Sequence, residues 1–324
     1  MKAMVCEAFG GPEVLAWRDL PDPPAPGAEE IQVQIRARGV QYVDVLMLAG
    51  KYQFRPEPPF IPGGEAAGEV IAVGPDVTTF RPGDRVMSRH TLGALAERGN
   101  AKAALCDLVP DGMSLESAGV FRGAYCTAYH ALLQRGRLKP GEWVLVHGAA
   151  GGIGIAAIQV AKLFGAKVIA TASGEVKHLA CLEEGADFAI EYHGGFVDKV
   201  KELTGGRGVD IVYDPIGANV GEDSLRCLAW CGRLLILGFL GGGPSNIRSN
   251  YLLIKGIDAV GVRIGGLNEA NPELAIANMK ELTRLAGEGK LKPRISHRFR
   301  LDQAKEALQA VIDRAVIGKA VLVS

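Results

Sequence analysis

The stretch from Trp143 to Ala172 constrains this chain more than any other. Val144 to Val146 is a short apolar run with β-branched residues, which reads as a buried parallel strand. Gly148-Ala149-Ala150-Gly151-Gly152-Ile153-Gly154 follows as a tight glycine turn. From Gly152 to Phe164 small and large apolar residues recur at helical spacing, and Gly165 stops the helix. Lys167 to Ala172 is the next strand. A glycine run alone fits any plain βαβ turn. Strand, glycine turn, helix and strand within about 30 residues is the context that a dinucleotide fingerprint requires.

Each glycine has a mechanical task in that reading. Gly151 lets backbone approach a pyrophosphate with no Cβ in the way, and Gly154 lets the helix pack close to the sheet. The helix N-terminus then offers free N–H groups and a positive dipole end to the phosphates. Ala149 holds the first fingerprint position, where glycine is usual; Ala150, Gly152 and Ile153 complete the turn.

A chain of 324 residues suffices for two domains and a sizeable core. Lysine plus arginine number 36 and aspartate plus glutamate 36, so no general charge drives the chain toward nucleic acid or an anionic membrane. No N-terminal signal region and no apolar run of membrane-spanning length occurs, and the expectation is a soluble, cytoplasmic protein. The six cysteines are scattered, with no CxxC pair. Cys227 and Cys231 fall at helical spacing and read as two small buried neighbours.

Residues 1–122 look β-rich. Glu30 to Arg38 alternates apolar and polar as a half-buried strand, Val43 to Leu48 suits a short helix, and Gly/Pro turns separate strands at Glu69–Val73 and Asp84–Met87. The pattern suggests a compact barrel. Ser114 to Leu133 carries a helical pattern. Beyond the glycine turn, helices near 175–184, 196–203 and 221–230 alternate with strands at Ala186–Ile190, Val209–Tyr213, Arg233–Leu237 and Ile257–Val262, a doubly wound sheet of about six strands. Asn271-Pro272-Glu273 starts a helix with Leu274, Asn278, Leu282 and Leu285 on one face; Asp302 is expected to cap a second, and Lys319–Val323 closes as a strand.

Gly50-Lys51-Tyr52, Phe60-Ile61-Pro62-Gly63-Gly64-Glu65, Ala67-Gly68, Gly83-Asp84-Arg85-Val86, Thr127-Ala128-Tyr129, Ala149 to Gly154, and Thr204 to Asp210 together carry a resemblance. The chain resembles the quinone oxidoreductase (zeta-crystallin-like) branch of the zinc-independent medium-chain dehydrogenase/reductase superfamily, nearly end to end. The resemblance implies an α/β protein: a GroES-like β-barrel catalytic domain from residues 1–123 and 265–324, and a Rossmann doubly wound parallel sheet, residues 124–264, that binds NADPH, with the cofactor in the cleft.

Zinc relatives in the superfamily carry Gly-His-Glu where this chain reads Gly63-Gly64-Glu65, and Gly39 to Tyr42 has no cysteine, so a metal-free reductase is expected. Without a Lewis acid, alcohol oxidation loses its means of stabilising an alkoxide, whereas an enone or quinone spreads the developing charge itself. An NAD site would place an acid at the end of the second strand; here Ser173-Gly174 stand there and Lys177 follows. On residue statistics Lys177 is a solvated helix lysine. The resemblance makes it, with Ser173, a ligand of the 2′-phosphate, and sets Tyr192 and Arg314 where relatives complete that pocket. It also sets Gln41, where relatives usually have Asn, and Thr127 toward nicotinamide and substrate, and passes the backbone of Phe239 and Leu240 by the carboxamide. Tyr52 is a candidate proton donor to the enolate oxygen, with a pocket wall and a solvent donor as the equal alternative. Tyr251 to Lys255 matches the Tyr-x-x-x-Lys of short-chain dehydrogenases, but Gly238 stands where their serine is needed, and both read as ordinary helix residues.

The expected activity is NADPH-dependent hydride transfer to a small-molecule quinone or other α,β-unsaturated carbonyl compound. The alternatives are an enoyl-thioester (enoyl-CoA) reductase and a non-catalytic NADPH-binding protein of zeta-crystallin type. The neutral balance, with no Lys/Arg-rich run, argues against an RNA partner. The mostly apolar Ile257–Val262 edge points to a homodimer.

Overall fold

Alternating apolar and polar residues turn the first third of the chain into strands. In the computed structural model, which describes residues 1–192 and 194–324, β1 (Lys2–Cys6) and β2 (Leu15–Asp19) form an antiparallel pair. They are followed by β3 (Glu30–Val40), α1 (Tyr42–Leu48), β4 (Glu65–Val73), β5 (Arg85–Arg89), β6 (Arg98–Lys102) and β7 (Cys106–Leu108). Ile31, Val33 and Ile35 recur with period two along β3 and pack with Val70, Val86 and Ala101 in one core. Each such side chain, fully buried, contributes about 1.5–3 kcal/mol. The strand runs past its expected end at Arg38, and Arg38 itself is fully buried. Its guanidinium donates to the carbonyls of Ala94, Ile35 and Ala96 and to Ser324 Oγ at 2.6–3.2 Å, which supplies the partners a buried cation requires. Burial pushes its pKa down to about 9.

The helix expected over 114–133 is broken. Ser114 caps α2 (Leu115–Ala118), its Oγ accepting from Ser117 N at 3.1 Å. The chain turns at Gly119, where a Cβ would lie 2.8 Å from the carbonyl oxygen of Ala37. α3 (Arg122–Tyr129) then runs into π-helical turns over His130–Arg135. The alternating part follows: β8 (Trp143–Val146), α4 (Gly152–Leu163), β9 (Lys167–Ala172), α5 (Glu175–Glu183), β10 (Phe188–Glu191), α6 (Phe196–Leu203), β11 (Val209–Asp214), α7 (Ala218–Cys227), β12 (Leu228–Ile236), α8 (Ser249–Lys255), β13 (Asp258–Gly261), α9 (Ile264–Ala270) and α10 (Pro272–Gly287). The six strands are parallel in the order β10-β9-β8-β11-β12-β13. The order reverses between β8 and β11, the topological switch point of a doubly wound sheet.

Two local expectations fail here. α7 ends at Cys227 and β12 starts at once, so Cys227 is buried at a helix end while Cys231 is exposed in a strand at φ 58°. The two are not neighbours on a helix. At that end Lys255 Nζ donates to the carbonyls of Leu225 and Arg226 in the last turn and of Leu228 just beyond it, which supplies partners for acceptors the helix leaves open. In α10, Asn271 Oδ1 accepts from Leu274 N at 3.1 Å, as its cap position predicts. Asn278, Leu282 and Leu285 are buried, but Leu274 in the first turn is exposed.

β14 (Ile295–Arg300), α11 (Ala304–Ile312) and β15 (Lys319–Val323) complete the chain. Asp302 is not a cap. It lies in the 3-10 turn Leu301–Gln303, where it pairs with Arg300. β15 inserts beside β3 in a seven-stranded sheet ordered β14-β15-β3-β4-β5-β7, with β6 also paired to β3; this is the GroES-like barrel. The contacts divide the chain into Met1–Gly123 with Met279–Ser324, and Ala124–Asn278. The sequence reading set the return at 265. It falls inside α10 instead, and the Asn278 amide exchanges hydrogen bonds with Gln134 of the parallel-sheet unit, at 2.6 and 3.2 Å. No described helix is long and apolar enough to cross a membrane.

Candidate active site

The glycine turn closes on itself. Gly151 N donates to Gly148 O at 3.0 Å within the turn, and Ala149 N to Thr171 O at 3.1 Å ties it to β9. Gly151 is the extended cap residue of α4; no side chain caps this end and no acid lies in the first turn. The first N–H groups of the helix are thus left for an anion, with the dipole aimed at it. A Cβ on Gly154 would sit 2.5 Å from Gly148 O and 2.6 Å from Ala149 Cα, so only glycine lets this helix approach its turn. At Gly151 the nearest atom to such a Cβ is 3.3 Å away, and a side chain would occupy the space before the helix end. Ala149 and Ala150 are buried, whereas Gly152 and Ile153 are half-buried.

His147, which the sequence reading passed over, supports the turn from below. Its Nδ1 lies 2.9 Å from Thr171 Oγ1 and its Nε2 2.8 Å from Ser224 Oγ. Ser224 Oγ donates to Val220 O at 2.7 Å, so Nε2 carries the proton, and Thr171 Oγ1 gives its proton to Nδ1 at 2.9 Å in preference to Val146 O at 3.4 Å. Burial pushes its pKa down to about 3, and the ring is neutral.

The other residues expected at a dinucleotide lie along the carboxyl ends of the same strands. Ser173 and Gly174 are exposed after β9, and Gly174 takes φ 79° with open space where a Cβ would stand. Lys177 is half-buried in α5, and Tyr192 is half-buried after β10. Phe239 and Leu240 follow β12, where Leu240 N donates to Pro215 O at 3.1 Å and joins their loop to the one after β11. Asp214 ends β11. Its Oδ1 accepts from Ile216 N and Gly217 N at 2.8 and 2.9 Å and shapes that loop. Burial raises its pKa. Thr127 stands apart from this row, half-buried in α3.

The barrel unit holds Gln41, Tyr52 and Arg314. Gln41 precedes α1; its N–H donates to Asp44 Oδ2 at 2.8 Å, while Asp44 N donates to Gln41 O at 3.0 Å. A Cβ on Gly123 would lie 3.1 Å from the Gln41 amide and 3.0 Å from Glu65 Oε2, so the amide and the carboxylate share one pocket over that glycine. Glu65 Oε2 accepts from Gly123 N at 2.8 Å, and Glu65 Oε1 meets the buried Lys319 ammonium at 2.8 Å. Asp44 is buried beside them. Burial, with the Glu65 charge adding to it, pushes its pKa up to about 7. Tyr52 lies in the irregular loop after α1, packed against the core that includes Met47 and Phe60. Arg314 is exposed in the turn after α11, at φ 57°. The barrel thus gathers Gln41 with Asp44, Glu65 and Lys319, a cluster of which the sequence reading had named only Gln41 as a site residue.

Two shallow cavities, of about 200 and 140 Å³, are lined by none of these residues. Of the four cations around the larger, three are engaged: Arg207 with Asp210, Arg226 with Asp223 and Lys255 with its three carbonyls.

Comparison with known proteins agrees with this architecture. Residues 27–134 match the alcohol dehydrogenase GroES-like domain and residues 152–281 the zinc-binding dehydrogenase family. A mouse protein named quinone oxidoreductase-like protein 2 is 37% identical over 91% of this chain and 85% of its own. The quinone oxidoreductase of Pseudomonas aeruginosa is 36% identical over 97% of both chains. The chain belongs to the quinone oxidoreductase branch of the medium-chain dehydrogenase/reductase superfamily. Among solved structures of that branch, Escherichia coli quinone oxidoreductase complexed with NADPH superposes with a TM-score of 0.93 at 32% identity, covering 100% of both chains.

The second domain matches a zinc-binding family, so the residues at the expected zinc position matter. Gly64 stands at the expected histidine ligand, and both Glu65 oxygens are engaged, one by an ammonium that would repel a metal cation. Among the described residues no group of three or more His, Cys, Asp or Glu is arranged to hold a metal.

Proposed function

We propose that this protein is an NADPH-dependent, zinc-independent reductase that transfers hydride to quinones or other α,β-unsaturated carbonyl compounds. The observation that carries the reading is the uncapped N-terminus of α4 beside the switch point, behind a turn that Gly154 alone permits. The NADPH complex of the Escherichia coli relative supports the choice of dinucleotide.

In this reading the N–H groups at the start of α4, with Ala149 to Gly154, bind the pyrophosphate. Ser173, Lys177, Tyr192 and Arg314 hold the 2′-phosphate, and Thr127, Phe239 and Leu240 contact the nicotinamide end. When bound, NADPH supplies the hydride. The Gln41 amide orients the acceptor carbonyl, and Asp44 fixes the backbone from which Gln41 projects. Tyr52 donates the proton to the enolate oxygen, or orients a water that does. A conjugated acceptor delocalises its own developing charge, so this chemistry needs no Lewis acid. The test is oxidation of NADPH with a panel of quinones, enals and enoyl thioesters, before and after dialysis against a strong chelator. Turnover of enoyl thioesters alone, no turnover at all, or loss of activity with the metal would overturn the reading.

We also propose a homodimer through β13. This strand ends the parallel sheet, and large apolar side chains of the same unit, Trp230, Leu253 and Ile254, are 68–83% exposed. A monomer in sedimentation at micromolar concentration would refute it.

A further inference from the structure

We infer that Glu191 moderates the cofactor preference of this site, by competing with a 2′-phosphate for the N–H of Gly174. The inference rests on the dinucleotide reading above and deepens it. In a doubly wound domain the adenosine ribose belongs at the end of the second strand, where an acid accepts from the ribose diol and repels a 2′-phosphate. β9 ends at Ala172 and brings no acid of its own; Ser173-Gly174 follow it, and Glu175, in the first turn of α5, lies past the diol position. The neighbouring strand supplies one. β10 runs parallel to β9 with Glu191 opposite Ala172, one residue short of Ser173.

The carboxylate is held there. Glu191 Oε2 accepts from Gly174 N at 3.1 Å, and Glu191 Oε1 from Tyr192 N at 3.3 Å. His178 Nε2, on α5, is 4.0 Å from the carboxylate but points its proton at Ala172 O, 2.9 Å away, so the ring's hydrogen bond goes to backbone. The Gly174 N–H is an anion donor at a left-handed glycine with open space beside it, and a carboxylate already uses it. A 2′-phosphate carries close to two negative charges and needs the same ground. It must displace the carboxylate or lie against it, whereas the ribose diol of NADH finds there the acceptor it lacks on β9. Glu191 therefore narrows the preference that Ser173 and Lys177 give to NADPH.

The test is Glu191→Gln, with NADPH and NADH titrated by calorimetry at low and at high salt. The side chain is 44% exposed, so the variant should fold; Glu191→Ser is the second variant, and the melting temperatures of both are compared with wild type. The expected result is roughly tenfold tighter NADPH at low salt, a smaller gain at high salt, and NADH unchanged or weaker. A change of less than about twofold in the NADPH/NADH ratio for both variants, or an equal change for both cofactors, overturns the role of Glu191 and leaves the dinucleotide reading standing. Failure of wild type and variants to bind either dinucleotide overturns both.

Discussion

Replacing Lys319 with Met removes the ammonium that faces Glu65 at 2.8 Å, where both side chains are less than 10% exposed. Glu65 keeps the Gly123 N–H, but its other oxygen is left buried and unpaired. Breaking a buried pair in this way costs about 3–5 kcal/mol. A unit of this size loses about 2–4 °C of melting temperature per kcal/mol, so the barrel should melt roughly 6–20 °C lower. Asp44 adds a pH signature. Its carboxyl titrates near 7 because it is buried near Glu65, and Lys319 opposes that shift. Without the ammonium, Asp44 takes up its proton more readily. The wild-type Asp44 carboxyl completes its ionisation as pH rises past about 7, whereas in the variant it stays protonated to higher pH, so the variant goes on losing stability where wild type levels off. Lys319→Met should therefore be more destabilising at pH 8 than at pH 6 in urea titrations. The double variant Lys319→Met/Glu65→Gln should recover most of the loss, because glutamine still accepts from Gly123 without a charge. A single variant within about 1 kcal/mol of wild type, or a double variant no better than the single, would refute the argument.

Lys177→Ala should weaken NADPH by about 1.5–3 kcal/mol, one to two decades, and leave NADH nearly unchanged, with Ser173→Asp going further; equal losses for both cofactors in calorimetry would move the phosphate pocket elsewhere. Gly154→Ala drives a methyl against Gly148 O at 2.5 Å, so it should cost about 1–3 kcal/mol or more and abolish NADPH binding; a normal binding isotherm would show that the turn tolerates a side chain. Folded His147 takes its proton only near pH 3, while the unfolded chain takes one near 6.5, so its contribution to stability declines as pH falls through that window. The stability advantage of wild type over His147→Gln should shrink by about 2 kcal/mol between pH 7 and pH 5, and parallel urea midpoints across that range would count against a neutral buried ring.

What the sequence made legible is what local patterning controls. The glycine turn, its flanking strands and the helix of α4 follow from period, composition and steric need, and residues 196–203 form a helix with the expected limits. Long-range partners were not legible. Arg38 looks like an outward polar residue in an alternating strand, and only folding brings the carbonyls of Ala94 and Ala96 around it. Cys227 and Cys231 have helical spacing, but α7 ends between them, and the partner of its last carbonyls, Lys255, lies far along the chain. Glu191 was invisible as a site residue because its strand is not the one that the fingerprint rule inspects. Gln41 was found by resemblance; Asp44, Glu65 and Lys319, which surround it, meet only in three dimensions.

The position of β15 also sets the order in which the molecule can be assembled during synthesis. The parallel-sheet unit is one continuous segment, Ala124–Asn278, and its last residue leaves the ribosome before β15 is made. The barrel has to wait. Until Lys319–Val323 emerges, the Ala37–Val40 edge of β3 has no neighbour from β15, Glu65 has no counter-ion and Arg38 lacks one acceptor. A nascent chain therefore carries a finished nucleotide domain beside an open, aggregation-prone sheet edge, and a chaperone has its longest opportunity to bind there. Loss of β15 would hold the barrel permanently at that stage.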